Sequence, residues 1–354
     1  MSFLPTHSKL QSLRVTFLLS CFITLLVMYL KPPTSFFLGS VDLTAVTHQV
    51  KGLLSNNSKN NVTIILIWMW PFGQTFNLKA CKIKDCCFTA DRNLYNKSDG
   101  VIIHHRDLFG NFSNLPQLQR PPFQKWIWMN FEPPSNSLQI PGIENLFNLT
   151  LSYRRDADIV LPYGSIVAAE SKEDFVPPSK NKLVCWIVSR WQKTFKRVAY
   201  FQEFQKHIKV HGFGKAFGKP ISREDYMTTI ASCKFYLSFE NSIHMDYITE
   251  KFFNTLFLGT VPVVLGTPRQ NYEDFIQGDA FIHVDDFTSP KELADYLLLL
   301  DKNEEIYLKY FKWRRHFHVK KDHSWAERTC LACDHLRKHR ERKTVDVNKW
   351  YWGG

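Results

Sequence analysis

At 354 residues, the chain is long enough for two folded domains of ordinary size. Its 45 lysines and arginines against 33 acidic residues give a formal charge of +12, a balance often met in proteins that bind nucleic acid or acidic membranes. No nucleic-acid motif accompanies the charge, which sits largely in KHRERK near the C-terminus and in 190–219. A basic groove holding a diphosphate is the more economical reading.

The first element is apolar. Residues 15–30, VTFLLSCFITLLVMYL, carry no charge and as a helix span roughly 25 Å, close to a bilayer core. Lys31, Pro32 and Pro33 follow in place of a small-residue cleavage pair, which favours a retained anchor over a cleaved signal or a buried helix. The spacing predicts a cytoplasmic tail over 1–12, an anchor over 13–30 and a stem over 31–60. Asn56, Asn61, Asn96, Asn111 and Asn148 head N-x-Ser/Thr triplets in the first half of the chain, with none in the second. They predict N-glycosylation, and with it a lumenal body in a single-pass type II arrangement.

A first α/β domain is predicted over 61–175. VTIILIWMW, GVIIHH, QKWIWMNFE and ADIVLPYG read as strands separated by loop or helix-length polar sequence, the pattern of a largely parallel sheet. Glu132 ends the third of these, where parallel α/β sheets place ligands, and is the candidate general base. His104 and His105 project to opposite faces of a strand and make a poor chelating pair. Trp68, Trp70, Trp126 and Trp128 alternate within strands and share faces; core packing suits most of them, and a sugar ring would stack on any tryptophan left at the cleft.

A second α/β domain is predicted over 183–325, beginning with LVCWIVS after the linker KEDFVPPSKNK. HIKVHGFG, KFYLSFE, GTVPVVLG and AFIHVDD supply further strands, and helices are expected over 192–207, 250–258 and 290–300. Between two apolar runs lies SFENSIHMDYITEK, Ser238–Lys251, whose polar groups must be satisfied by one another or by a ligand. Lys251 and Arg197 suit phosphates, and Asn241 and Glu250 suit ribose or base edges. Thr249 stands near a helix N-terminus able to meet an anion. Residues 326–354 form a C-terminal tail.

Eight cysteines include Cys21 in the anchor, which leaves seven outside it. An odd number implies at least one free thiol or an intermolecular bond, and an oxidising lumen makes Cys81, Cys86, Cys87, Cys185, Cys233, Cys330 and Cys333 disulfide candidates. Zinc at Cys330-Leu-Ala-Cys333 would need another close pair, and Cys86-Cys87 has the wrong spacing. No repeat, GxGxxG before a helix or GxxxxGK[ST] is present. Two α/β domains with a ligand between them suit a nucleotide-sugar transferase, although periodicity alone does not separate it from other two-domain enzymes. A lumenal lectin using the same cleft is the non-enzymatic alternative.

WPFGQTF, TADRNLYNKS, VIIHHRD, RPPFQKWIWMN, LFNLTLSYRRDADI, SFENSIHMDYITEK, VPVVLG and CLACDH together resemble the α-1,3-fucosyltransferase family of Golgi enzymes, in its Lewis-x-forming branch. The resemblance covers nearly the whole chain. It implies a GT-B fold, two Rossmann-like domains facing a cleft, that transfers L-fucose from GDP-β-L-fucose with inversion. The acceptor is the 3-hydroxyl of N-acetylglucosamine in type 2 N-acetyllactosamine on glycoproteins and glycolipids. By resemblance Glu132 is the base, and Arg197, Asn241, Tyr247, Glu250 and Lys251 bind the donor. Gln74, Arg106 and Trp128 stand on the acceptor side. Arginine at 106, where family members that also make the α-1,4 link carry tryptophan, implies restriction to α-1,3.

The resemblance also implies disulfides Cys81–Cys330, Cys87–Cys333 and Cys185–Cys233, with Cys86 the odd thiol. Pro133 departs from the serine common in close relatives and stiffens the loop after the base. No metal site and no cofactor are required, manganese being at most a stimulant. The implied partners are GDP-fucose, the lactosamine acceptors, the Golgi membrane and a second copy in a homodimer.

Overall fold

A computed structural model describes residues 62–81, 83–170, 175–320, 325–339, 341 and 343–353. The expected tail, anchor and stem, with Cys21, Asn56 and Asn61, lie outside them. Among the described residues no helix is long and apolar enough to cross a membrane.

Short runs of β-branched and aromatic residues build two parallel sheets. The first holds β1 (Thr63–Ile67), β2 (Cys86–Thr89), β3 (Gly100–His104), β4 (Lys125–Asn130), β5 (Leu149–Ser152) and β6 (Ile159–Val160), in the order β2-β1-β3-β4-β5-β6. All residues of β3, β4 and β5 are buried, as expected when both faces of a parallel sheet are covered. β7 (Ser165–Ala168) pairs antiparallel with β13 (Phe317–Lys320). The second sheet holds β8 (Lys182–Ile187), β9 (Val210–Phe213), β10 (Cys233–Phe239), β11 (Val261–Leu265) and β12 (Ile282–His283), ordered β12-β11-β10-β8-β9.

The second half carries α1 (Lys196–Phe204), α2 (Arg223–Ala231), α3 (Glu250–Phe257), α4 (Arg269–Glu273), α5 (Pro290–Lys302) and α6 (Glu304–Lys309). In each sheet the first strand lies between the second and the third. The chain therefore winds one way and then the other, opening a crevice at the carboxyl ends of the strands where the direction switches. In the second sheet that switch falls between β8 and β10.

The chain then returns to the first sheet. α7 (Trp325–Lys338) packs on β1 and β3, and Gly100 permits the approach, since a Cβ there would stand 2.6 Å from the Leu336 Cδ1. α8 (Val347–Trp352) follows. Cys81 is bonded to Cys330, and Cys185 to Cys233, as expected.

The remaining pair corrects an expectation: Cys86, not Cys87, bonds Cys333, and Cys87 is the free thiol. Adjacent residues of β2 point to opposite sheet faces, so only one of the two meets α7. Cys86 does so with its Cα 6.2 Å from that of Cys333, within the span a disulfide requires. Burial pushes the Cys87 thiol up, which leaves it a weak nucleophile.

Candidate functional site

Glu132 stands two residues past the end of β4, half-buried on a loop held at its backbone. Its N–H donates to Asn130 Oδ1 at 3.2 Å, and its carbonyl accepts from Ser137 Oγ at 3.3 Å and from the Tyr351 hydroxyl. The carboxylate itself forms no hydrogen bond or ion pair among the described residues. Its charge reaches the hydroxyls of Tyr153, Tyr163 and Tyr247. Tyr247 comes from the Ser238–Lys251 stretch yet packs on Tyr153 and Tyr163 at ring distances of 5.3 and 6.0 Å, which ties that stretch to the Glu132 side of the cleft. Burial, with Glu240, Glu132 and Glu250 nearby, pushes the Tyr247 hydroxyl well above the usual range.

The loops after β8 and β10, at the switch point of the second sheet, line a cavity of about 270 Å³. Arg190, Lys196 and Arg197 come from the first loop and the start of α1; Glu240, Asn241 and Ser242 come from the second. Ser135 and Asn136, three and four residues beyond Glu132, close the opposite wall. Asn136 Nδ2 donates to Ser242 Oγ at 3.3 Å, and the His244 Nε2 meets Ser135 Oγ at 3.0 Å. A larger hollow of about 870 Å³, beside Val62, Lys125 and Leu336, lies at the amino-terminal ends of the strands. Parallel sheets bind at the other end.

Of the donor-side candidates, Arg197 is buried on α1, donating to the carbonyls of Arg190 at 2.6 Å and Phe239 at 3.3 Å. Its Nε has no partner among the described residues. Desolvation lowers its guanidinium below the ordinary value, against the opposing pull of Glu240. Asn241 lines the cavity with its Oδ1 buried and unpartnered among the described residues.

Lys251 is less free than the sequence suggests. Its Nζ donates to Thr249 Oγ1 at 2.7 Å, Glu240 Oε2 at 3.0 Å and Glu250 Oε1 at 3.1 Å. Burial alone would drive Lys251 down, but Glu240 and Glu250 hold it above the ordinary lysine value. Glu240 is fully buried and also accepts from the Thr249 N–H at 2.9 Å. Glu250 keeps 40% of its side chain exposed, so it is the member of this network able to reach a ligand.

Of the acceptor-side candidates, Gln74 is exposed on a turn in which Phe72 and Gly73 both take left-handed φ, 56° and 67°. That conformation is strained for phenylalanine, and its neighbours enforce it. The Phe72 N–H donates to Asp107 Oδ2 at 3.0 Å, and Arg106 lies over the ring at 4.9 Å. Arg106 and the Gln74 loop are thus brought together.

Two expectations fail. Trp128 is fully buried, donating from Nε1 to His105 Nδ1 at 3.0 Å and packing on Tyr351 at 4.8 Å; a strand covered on both faces leaves it no route to a sugar. Asn148 is likewise fully buried, its Oδ1 accepting from the Trp126 N–H at 2.9 Å and its Nδ2 donating to the Lys343 carbonyl at 2.7 Å. Its amide is an internal brace with no room for a glycan. Asn96 and Asn111 are exposed.

Sequence reasoning also missed Arg190, Asn136, Glu240 and Tyr351. The basic run from 190 and the position of Glu240 inside SFENS were available signals; nothing local marks the other two.

Residues 60–164 match the family model described as "Fucosyltransferase, N-terminal", and 177–350 that of "Glycosyltransferase family 10 (fucosyltransferase) C-term". The chain is 50% identical over 344 residues to the 4-galactosyl-N-acetylglucosaminide 3-alpha-L-fucosyltransferase 9 of Rattus norvegicus and to that of Homo sapiens. Those alignments cover 96% of this chain and 96% of each relative. It is 43% identical over 302 residues to the fucosyltransferase FUT6 of Pongo pygmaeus, covering 82% and 84% of the two chains. A crystal structure of an alpha1,3-fucosyltransferase with GDP-fucose has the same fold, with a TM-score of 0.54 at 16% identity, over 82% of this chain and 94% of that one.

Proposed function

Because the chain belongs to glycosyltransferase family 10, the fucosyltransferases, we propose that it moves L-fucose from GDP-β-L-fucose to the 3-hydroxyl of N-acetylglucosamine in N-acetyllactosamine, with inversion. The observation that carries this reading is Glu132. Its carboxylate is unpartnered among the described residues, at the carboxyl end of β4, and its loop also walls the cavity containing Arg197. Glu132 takes the acceptor hydroxyl proton as that oxygen attacks fucose C1 from the face opposite the phosphate. The C1–O3 bond forms, the bond from C1 to the β-phosphate oxygen breaks, and GDP leaves with the electron pair.

Arg197 and the first turn of α1, which has no side-chain cap, stabilise the leaving charge. Lys251 is shared by two carboxylates, so its main work is to hold Glu250 toward the ribose hydroxyls, beside Asn241. Tyr247 spans from this donor wall to Glu132. Gln74 and Arg106 form the acceptor side, and Arg106 over Phe72 supports the restriction to α-1,3. The chain works in the Golgi lumen behind an anchor at 13–30. Three disulfides, with exposed Asn96 and Asn111, support the oxidising, glycosylating compartment.

The test is Glu132→Gln in the full chain, assayed for fucose transfer to N-acetyllactosamine and for GDP affinity. Turnover is expected to fall about 10³-fold while GDP affinity stays within about twofold. Near-normal turnover would remove Glu132 from the base role.

A further inference from the structure

We propose that Arg190 is an additional diphosphate-binding residue of the cavity, held ready by Asn136; this rests on the donor reading above. Arg190 stands three residues past β8 at the switch point and is exposed, lining the cavity with exposed Lys196 and buried Arg197. Its backbone carbonyl accepts from Arg197 Nη2 at 2.6 Å, so the two residues are mechanically joined. Both guanidinium groups flank one ring, that of Phe195, at 5.4 and 5.5 Å.

Three cations gathered at one wall repel one another unless an anion lies among them. Among the described residues none of the three forms an ion pair: Glu240, which also lines the cavity and pulls on Arg197, is taken up by Lys251 and Thr249, although the protein has acidic partners for cations elsewhere, as at Arg155 and Arg269. Two further observations point to the missing anion. The first turn of α1 opens on the same wall without a side-chain cap, and the unpartnered Nε of Arg197 is buried there.

Asn136 sets where Arg190 rests. Arg190 Nη1 donates to Asn136 Oδ1 at 3.3 Å across the cavity, while Asn136 Nδ2 is held by Ser242 at 3.3 Å. A bond this long to a neutral amide is weaker than one to a phosphate oxygen. The guanidinium therefore exchanges Asn136 for the ligand without a backbone shift. A diphosphate is the chemistry that suits the wall, since Arg197 and the helix end can take one phosphate and the Arg190 fork the other.

The experiment compares GDP and guanosine binding by titration calorimetry to the full-length protein and to Arg190→Ala and Arg190→Lys. The alanine variant is expected to bind GDP about tenfold more weakly, with a shallower salt dependence, while its thermal midpoint and guanosine affinity are unchanged. The lysine variant recovers part of the loss. GDP affinity within about twofold of the parent in Arg190→Ala overturns the proposal and leaves the donor reading intact, as does an equal loss for guanosine, which would mean a change of pocket shape. Absence of GDP binding by the parent protein overturns the donor reading itself and the proposal with it.

Discussion

At His105, the carbonyl of Leu138 can only accept and the indole N–H of Trp128 can only donate, so Nε2 carries the proton and Nδ1 is bare. The ring is neutral, and burial lowers its pKa to about 4. Above pH 6.5 both folded and unfolded chains hold it neutral, and it contributes nothing to pH dependence. Below that value the unfolded chain gains a proton that the folded one refuses, so stability falls as pH drops toward 4, by about 3 kcal/mol in all. Urea unfolding of the protein and of His105→Gln from pH 7 to 4.5 should show the difference between them shrinking on the acid side. A constant offset would mean that His105 does not titrate this way. Residues of this scale were unevenly legible. Glu132 and Asn241 stand beside apolar runs, a local signal that singles them out as candidates. Asn148 and Trp128 show the limit: the same triplet or ring reads alike inside and outside, and only packing decides which it is.

Elements with apolar runs of β-branched or aromatic residues, β1, β3, β4, β8, β10 and β11, lie where the sequence predicts them, as do α1, α3 and α5. β2 and β5, only four residues each and carrying cysteine, threonine or serine, were missed; strands this short form because neighbours pair with them. The most consequential missed element is α8. From it Tyr351 donates to the Glu132 carbonyl, and Trp352 Nε1 to that of Pro134 at 3.2 Å, while Asn348 braces the Ile140 carbonyl at 2.9 Å. A six-residue helix more than two hundred residues away thus fixes the loop of Glu132, the proposed base. Tyr351→Phe removes one hydroxyl and leaves the Ser137 bond to the same carbonyl. It should cost about 1 kcal/mol of stability and slow turnover roughly tenfold through misplacement of Glu132, with the KM for GDP-fucose unchanged. A rise in that KM with unaltered turnover would contradict a positioning role.

Across the whole molecule, two disulfides of sequence separation 249 and 247 bind the C-terminal segment to the edge of the first sheet. Long closures restrict the unfolded chain most. Replacing Cys81 and Cys330 together by serine should cost about 2–5 kcal/mol in denaturant unfolding. Cys87→Ser at this half-buried position should cost no more than about 1 kcal/mol, and a loss as large as that of the double variant would put the bridge back on Cys87. The sequence by itself determined the two parallel α/β halves, the polar stretch Ser238–Lys251 and the carboxylate at Glu132, because hydrophobic period and strand-end chemistry are local. Tertiary structure alone decided which of Cys86 and Cys87 is bonded, that Lys251 is shared between Glu240 and Glu250, and that Arg190 and Asn136 face each other across a cavity. Those facts depend on which side chains meet after the chain has crossed from one sheet to the other and back, and spacing along the sequence carries no record of that.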